Sequence, residues 1–284
     1  MRLHYIANGL IAATAAFFVG ARFIPGANEQ GPVLRAAANF VAGPSAPDSA
    51  HRIATDIEGD VAASNASVTS ATISSTKAAL AALGNAVRPL SHPRALEMAL
   101  SSYFAFKTAH PAEVKKPYLY FVDYGLPSTE RRGYVFDMST LQVVDGPFTV
   151  AHGRGSSASQ FGVPTRFSNA SGSASSSLGL YVAREIYAFT GHTGGRSYNS
   201  TGLRLLGQSS GYNDNAFARG VVAHGAPYVT PTKAGRSEGC PAMEEQRAKR
   251  LLPKLANGGL VFLFAPDANW MSRDPWVARA TSAN

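Results

Sequence analysis

The sequence predicts a mainly β domain with a few helices, set behind a helical, low-complexity N-terminal segment. Two observations carry that reading. From Tyr118 onward, short apolar and β-branched runs recur between Gly, Ser, Asn and Pro clusters, the pattern of strands joined by turns. Before Tyr118 the chain is rich in Ala and Ser, and its one well-patterned stretch has helical spacing. The length, 284 residues, leaves room for about two units at roughly 150 residues each.

Taken in order, residues 1–27 read as a signal peptide or N-terminal anchor. Arg2 precedes an apolar run from Leu10 to Val19, short for a bilayer span of about 20 residues but suited to a signal-peptide core. Val19-Gly20-Ala21 supplies small residues where a signal peptidase cuts. Residues 28–95 read as an Ala/Ser-rich linker, partly helical. From Asn28 to Ser75 too few large apolar side chains are present to offset chain entropy, whereas Thr76 to Val87 is alanine-rich enough for a helix, weakest at Gly84. Beyond Pro93 a second helix places Leu96, Leu100, Tyr103 and Phe104 on one face. Strands are expected at Tyr118–Asp123, Gly133–Met138, Pro147–Ala151, Leu178–Ala183, Leu203–Leu206, Gly220–His224 and Leu260–Phe264. Among them one clear helix is expected, Met243 to Leu255, with Pro253 bending or ending it. Residues 96–267 thus hold the expected mainly β domain, and 268–284 a C-terminal surface tail.

A hydrophobic fraction of 45% is ordinary for a soluble globular protein, while the net charge of +8 is basic. Basic chains are drawn to anionic surfaces such as nucleic acid, membrane or cell wall. No Lys/Arg cluster is interleaved with aromatics and no nucleic-acid motif is present, so charge alone supports no nucleic-acid partner. A single cysteine excludes an intrachain disulfide.

That cysteine, Cys240, is the chemical centre of the chain. It lies sixteen positions after His224, in a stretch that is glycine-rich, polar and charged rather than core-like. An apolar run, Gly220 to Ala223, delivers His224 as a strand end does. Pro241-Ala242-Met243-Glu244-Glu245 has the proline and acids of a helix's first turn. A thiol at a helix N-terminus, with an imidazole in reach, has its pKa lowered and becomes a nucleophile. The plainer alternative is a small buried hydrophobe. Gly235-Arg236-Ser237-Glu238-Gly239 formally matches the serine-hydrolase elbow, but no histidine follows Ser237 as that fold's order requires. His152, His192, His224 and Cys240 have no close-spaced pair of the kind zinc sites use, so no metal or cofactor is expected.

The pair His224-Gly225 with Ser237-Glu238-Gly239-Cys240 resembles the murein L,D-transpeptidase catalytic domain family. The likeness extends over roughly residues 96 to 267. It takes in Phe121-Val122-Asp123-Tyr124, Pro127 to Arg132, Val150-Ala151-His152-Gly153-Arg154, Phe167-Ser168-Asn169, Ser176 to Tyr181, Asn213 to Ala216 and Arg236 to Ala242. One departure stands out: many members carry a second histidine two places before the cysteine, where this chain has Glu238. The resemblance implies an L,D-transpeptidase-like β-sandwich/barrel. It also implies peptidoglycan stem peptides as partners and a location in the periplasm or cell envelope, with any membrane tether confined to the N-terminus.

The chemistry so implied is acyl transfer through a cysteine thioester, with Cys240 as nucleophile and His224 as base. Gly239 and Cys240 amides would hold the oxyanion. Arg236 would hold a substrate carboxylate through its planar fork, while Ser237 orients the loop or bonds substrate. Gly225 completes the His-Gly signature, and His152 lines the cleft. An amine acceptor makes an L,D-transpeptidase and water an L,D-carboxypeptidase; a non-catalytic wall-binding protein would not require both His224 and Cys240.

Overall fold

In a computed structural model, which describes residues 67–278 of the chain, the expected strands form and most share one sheet. Helix α1 covers residues 67–83 of the described chain and runs into a single 3-10 turn, Gly84–Ala86. There follow α2 (Ala95–Ala109), β1 (Tyr118–Asp123), β2 (Gly133–Asp137), β3 (Gln142–Phe148) and β4 (His152–Gly153). A long hairpin, β5 (Gly179–Thr193) and β6 (Arg196–Gly207), precedes β7 (Val222–Gly225), β8 (Val229–Thr230), β9 (Lys233–Ala234), β10 (Arg236–Ser237) and β11 (Ala242–Met243). The chain closes with α3 (Glu245–Leu255), β12 (Leu260–Phe264) and α4 (Ala268–Arg273).

The main sheet has eight strands in the order β11-β7-β6-β5-β12-β1-β2-β3. β1 and β12 pair in parallel near its middle, Leu119 to Asp123 against Leu260 to Phe264, and these residues are all buried. Near-continuous apolar runs such as Leu-Val-Phe-Leu-Phe are what a strand covered on both faces requires. Helix α3 packs Ala248, Leu251, Leu252 and Leu255 inward against β6 and β7. Its Arg247 and Arg250 both donate to Asp145 of β3, at the opposite sheet edge. One helix touching strands near both edges means that the sheet curls around α3.

Five expectations change. The Leu178–Ala183 and Leu203–Leu206 strands are only the buried roots of the β5–β6 hairpin, whose outer halves are polar and mostly exposed. The Pro147–Ala151 strand lies earlier, at Gln142–Phe148. The stretch after Cys240 is not a helix start: Ala242-Met243 is extended and pairs with β7, so α3 begins only at Glu245. The segment beyond Asp267 is no surface tail within the described residues, since Trp270, Trp276 and Val277 are buried in the main core. α1 likewise packs Ala79 and Leu83 into that core, so the helical part of the expected linker belongs to the folded unit. The expected export segment, residues 1–27, and linker residues 28–66 lie outside the described residues.

Candidate functional site

The site is assembled where the edge of the main sheet meets a separate two-stranded ladder. β7 carries His224, and β11 runs parallel beside it with Ala242 opposite His224. Cys240, two residues before Ala242, is thereby brought level with Val222, two residues before His224 on β7, and the Val222 amide faces the thiol. On the other side β10 pairs with β4, Arg236 opposite His152 and Ser237 opposite Gly153. The Ala151 amide donates to the Ala242 carbonyl and the Arg154 amide to the Ser237 carbonyl, both at 2.8 Å. Residues 151–154 therefore clamp the cysteine loop at both of its ends.

Close packing of this loop needs glycine at two positions. Gly239 has φ +127°, a conformation L side chains rarely adopt. A Cβ on Gly153 would come within 2.3 Å of the Ala174 carbonyl oxygen and 2.8 Å of the Gly239 Cα. Two serines staple the turn. Ser237 Oγ donates to the Cys240 carbonyl at 2.6 Å and accepts from the Gly239 amide at 3.2 Å. Ser176 Oγ donates to the Gly239 carbonyl and accepts from the Gly153 amide, each at 3.0 Å.

Cys240 and His224 open into one cleft of about 370 Å³, walled also by Phe189, Tyr198, Tyr228 and Arg236. His224 is only 3% exposed. Its Nδ1 lies 2.9 Å from the Gly225 carbonyl oxygen; a carbonyl accepts, so Nδ1 carries the proton and Nε2 is left as a base. The Phe189 ring stacks on the imidazole with centroids 4.2 Å apart. Burial pulls the His224 pKa down to about 4, against a smaller upward effect of the Gly225 carbonyl. Burial pushes the Cys240 thiol up, and Glu238 adds to the rise, while the Val222 amide and the Arg219 guanidinium oppose it. At neutral pH the resting pair is thus a neutral thiol beside a neutral imidazole.

The remaining expected residues separate into cleft wall and support. Arg236, Ser237 and Glu238 line the cleft; Arg236 Nη1 donates to the Ser157 and Ala158 carbonyls at 3.2 and 3.4 Å. The Gly239 amide is already engaged by Ser237, so of the two amides expected at the oxyanion only that of Cys240 is left without an acceptor among the described residues. Gly225 is buried against Ser200 and Glu245 rather than the cleft. His152 does not line the cleft but is wholly buried beneath the loop. Its Nδ1 accepts from Arg132 Nη2 at 3.0 Å, and burial first, then Arg132 and Arg236, pull its pKa down to about 3. Arg132 itself is fully buried, held by the Leu126 and Val150 carbonyls and by the Tyr124 ring.

Several contributors went unread in the sequence. Arg219 donates to the Ser168 and Ser175 carbonyls at 2.7 and 2.8 Å, and it favours the ionised form of Cys240. Phe189 and Tyr198 come from the outer hairpin. Its signal was present: Gly194-Gly195, both at positive φ, is a two-residue hairpin turn whose register sets the whole ladder. Gly202 sits between β5 and His224, and a Cβ there would come within 2.7 Å of the Tyr187 ring and 3.0 Å of the Phe189 Cβ. Its bare backbone lets Phe189 cross over β6 to the imidazole.

A thiol and a base in one cleft on a curled β-sheet is the arrangement of cysteine-dependent acyl transfer. Residues 89–264 match the family described as the L,D-transpeptidase catalytic domain, and the chain belongs to that family. Its fold is accordingly the expected L,D-transpeptidase-like one. Among solved structures the chain is similar to an L,D-transpeptidase from Mycobacterium smegmatis, with 14% identity, 53% of this chain and 59% of that one covered, and a TM-score of 0.31. L,D-transpeptidase 3 from Mycobacterium tuberculosis shows 11% identity, 52% and 61% coverage and a TM-score of 0.32. Bd1075 from Bdellovibrio bacteriovorus shows 14%, 59% and 54%, with a TM-score of 0.34. The match spans 54% to 61% of the length of these chains. No curated protein matches the chain. Among the described residues no helix is long and apolar enough to cross a membrane.

Proposed function

We propose that this domain is a peptidoglycan L,D-transpeptidase that works through a thioester on Cys240. The observation that carries the proposal is the shared cleft, in which the thiol stands with an imidazole whose Nδ1 is tied to a carbonyl and whose Nε2 is a base. In the first half-reaction Nε2 takes the thiol proton as the sulfur attacks the amide carbonyl before a terminal D-amino acid of a stem peptide. The resting pair is neutral, so proton transfer accompanies attack rather than preceding it. The Cys240 amide stabilises the tetrahedral oxyanion; such a donor is typically worth about 3 kcal/mol. His224 then protonates the leaving amine, and Arg236 orients the donor through a carboxylate. In the second half-reaction an amine of another stem peptide takes the acyl group. The positioning groups in this scheme are Ser237, Ser176 and His152, which hold the loop, while Gly225 supplies the carbonyl that fixes the base.

Family membership supports the wall substrate, and we place the protein in the periplasm or cell envelope, exported through residues 1–27. Purified protein incubated with muropeptides, with products followed by mass spectrometry, tests the proposal. Cross-linked dimers are expected. Shortened monomers alone would make the enzyme an L,D-carboxypeptidase, and an unchanged mixture would leave only wall binding.

A further inference from the structure

Two residues before Cys240 stands a carboxylate, Glu238, and it lines the same cleft as the thiol. Ser237, 6% exposed, spends its hydroxyl on the Cys240 carbonyl and the Gly239 amide inside the loop, whereas Arg236 and Glu238 bring charged groups to the cleft that holds Cys240. One cation and one anion thus flank the thiol two residues apart. Arg236 has one nitrogen tied to the Ser157 and Ala158 carbonyls, which fixes the guanidinium and leaves further N–H groups free. Both Glu238 carboxylate oxygens accept from Arg154 Nε, at 2.7 and 2.9 Å. The two side chains are 60% and 71% exposed, so this pair exchanges readily with competing ions in water.

A carboxylate at this place hinders acylation, because it works against an anion on the neighbouring sulfur. It helps only when the incoming group is a cation. We infer that Glu238 is a specificity residue for the acceptor half-reaction: with Arg236 it forms a two-charge site for a primary amine bearing a neighbouring carboxylate, and Arg154 occupies the Glu238 carboxylate until such an amine displaces it. The inference rests on the thioester reading above. Ammonium pairs with Glu238 and carboxylate with Arg236, which sets the nitrogen beside the thioester. The ammonium first releases one proton to water and becomes a free amine. As its nitrogen attacks, His224 Nε2 takes a second proton from it, the C–N bond forms, the C–S bond breaks, and His224 gives that second proton to the sulfur. Water makes neither ionic contact and so is not concentrated at the thioester.

The test uses the full chain, a muropeptide with a tetrapeptide stem as donor, and D-methionine or its amide as acceptor. Products are resolved by mass spectrometry into transfer and hydrolysis. Wild type should favour D-methionine over the amide. Glu238→Gln should raise the KM for D-methionine about tenfold and lower the transfer-to-hydrolysis ratio by a similar factor. Arg154→Gln should move both the opposite way, because it frees the carboxylate; a merely structural ion pair would shift both variants together. Glu238→His provides a second variant with the same expected loss. A ratio unchanged in both Glu238 variants, or parallel shifts in Glu238→Gln and Arg154→Gln, would overturn the inference while leaving the thioester intact. Absence of any acyl-enzyme in wild type would instead remove the reading beneath it.

Discussion

The proposed chemistry turns on two side chains whose surroundings withhold charge from both. Helix α3 starts at Glu245, so the helix end that the sequence placed at Cys240 is missing, and burial holds the thiol up while it holds His224 near a pKa of about 4. Iodoacetamide should therefore alkylate Cys240 slowly at pH 7, with a rate that climbs about tenfold per pH unit up to pH 9. Following the intact mass checks this, and a plateau near neutrality would reveal a preformed thiolate–imidazolium pair. Phe189 is the ring that keeps water from one face of the imidazole. Replacing it with alanine should return the His224 pKa toward its ordinary value of about 6.5. Because the base acts when neutral, activity is lost as pH falls through that pKa. The acid limb of donor acylation should accordingly move up by at least about one pH unit in Phe189→Ala, read from a pH–rate profile.

At the level of elements, the site depends on short extended pieces held by unusual backbone rather than on a regular helix or strand. Gly153 and Gly239 lie back to back, and Gly153→Ala would drive a Cβ into the Ala174 carbonyl and the Gly239 Cα, neither of which is a flexible side-chain tip. We expect kcat to fall at least about a hundredfold, with melting lowered by only a few degrees, because a displacement near 1 Å at the nucleophile is enough to misalign attack. Steady-state kinetics beside thermal denaturation separates the two effects. What the sequence revealed of these elements follows from how they are buried. β12 is apolar throughout and β1 as far as Asp123, and both are readable to the residue, while Cys240 and His224 stand out in the sequence by rarity and context. The outer hairpin, with one face in the cleft and the other in water, has no apolar run to announce it. Only its Gly194-Gly195 turn does so. β11 is two residues long and is stabilised by a partner distant in sequence, so Pro241 and the acids after it read as a helix start.

For the whole molecule, two histidines buried in the neutral form tie folding to pH. Both His152 and His224 have pKa values below the unfolded value of about 6.5, near 3 and 4 respectively. The unfolded chain binds their protons first. Their stabilisation is therefore full above about pH 6.5 and is lost as pH falls toward 3. For His224 alone that amounts to on the order of 3 kcal/mol. Thermal melts between pH 7 and 4 should fall steeply, and His152→Asn, which keeps an acceptor for Arg132 but does not titrate, should flatten part of the decline. A slope unchanged by that substitution would mean that His152 is not the group responsible. The C-terminal segment bears on stability too. Removing residues 267–284 would strip Trp270, Trp276 and Val277 from the core, and each large buried side chain lost costs about 3 kcal/mol or more. We expect a truncated chain that unfolds well below the full one in urea, where a true surface tail would leave the midpoint unmoved. Above all these scales stands the covalent step. The most direct measurement mixes the full chain with a tetrapeptide-stem muropeptide at pH 7, quenches in acid and maps the adduct by peptide mass spectrometry. The account predicts a stem-tripeptide acyl group on the peptide that contains Cys240, absent in Cys240→Ala and strongly reduced in His224→Ala. An adduct on another residue, or continued turnover by Cys240→Ala, would contradict it.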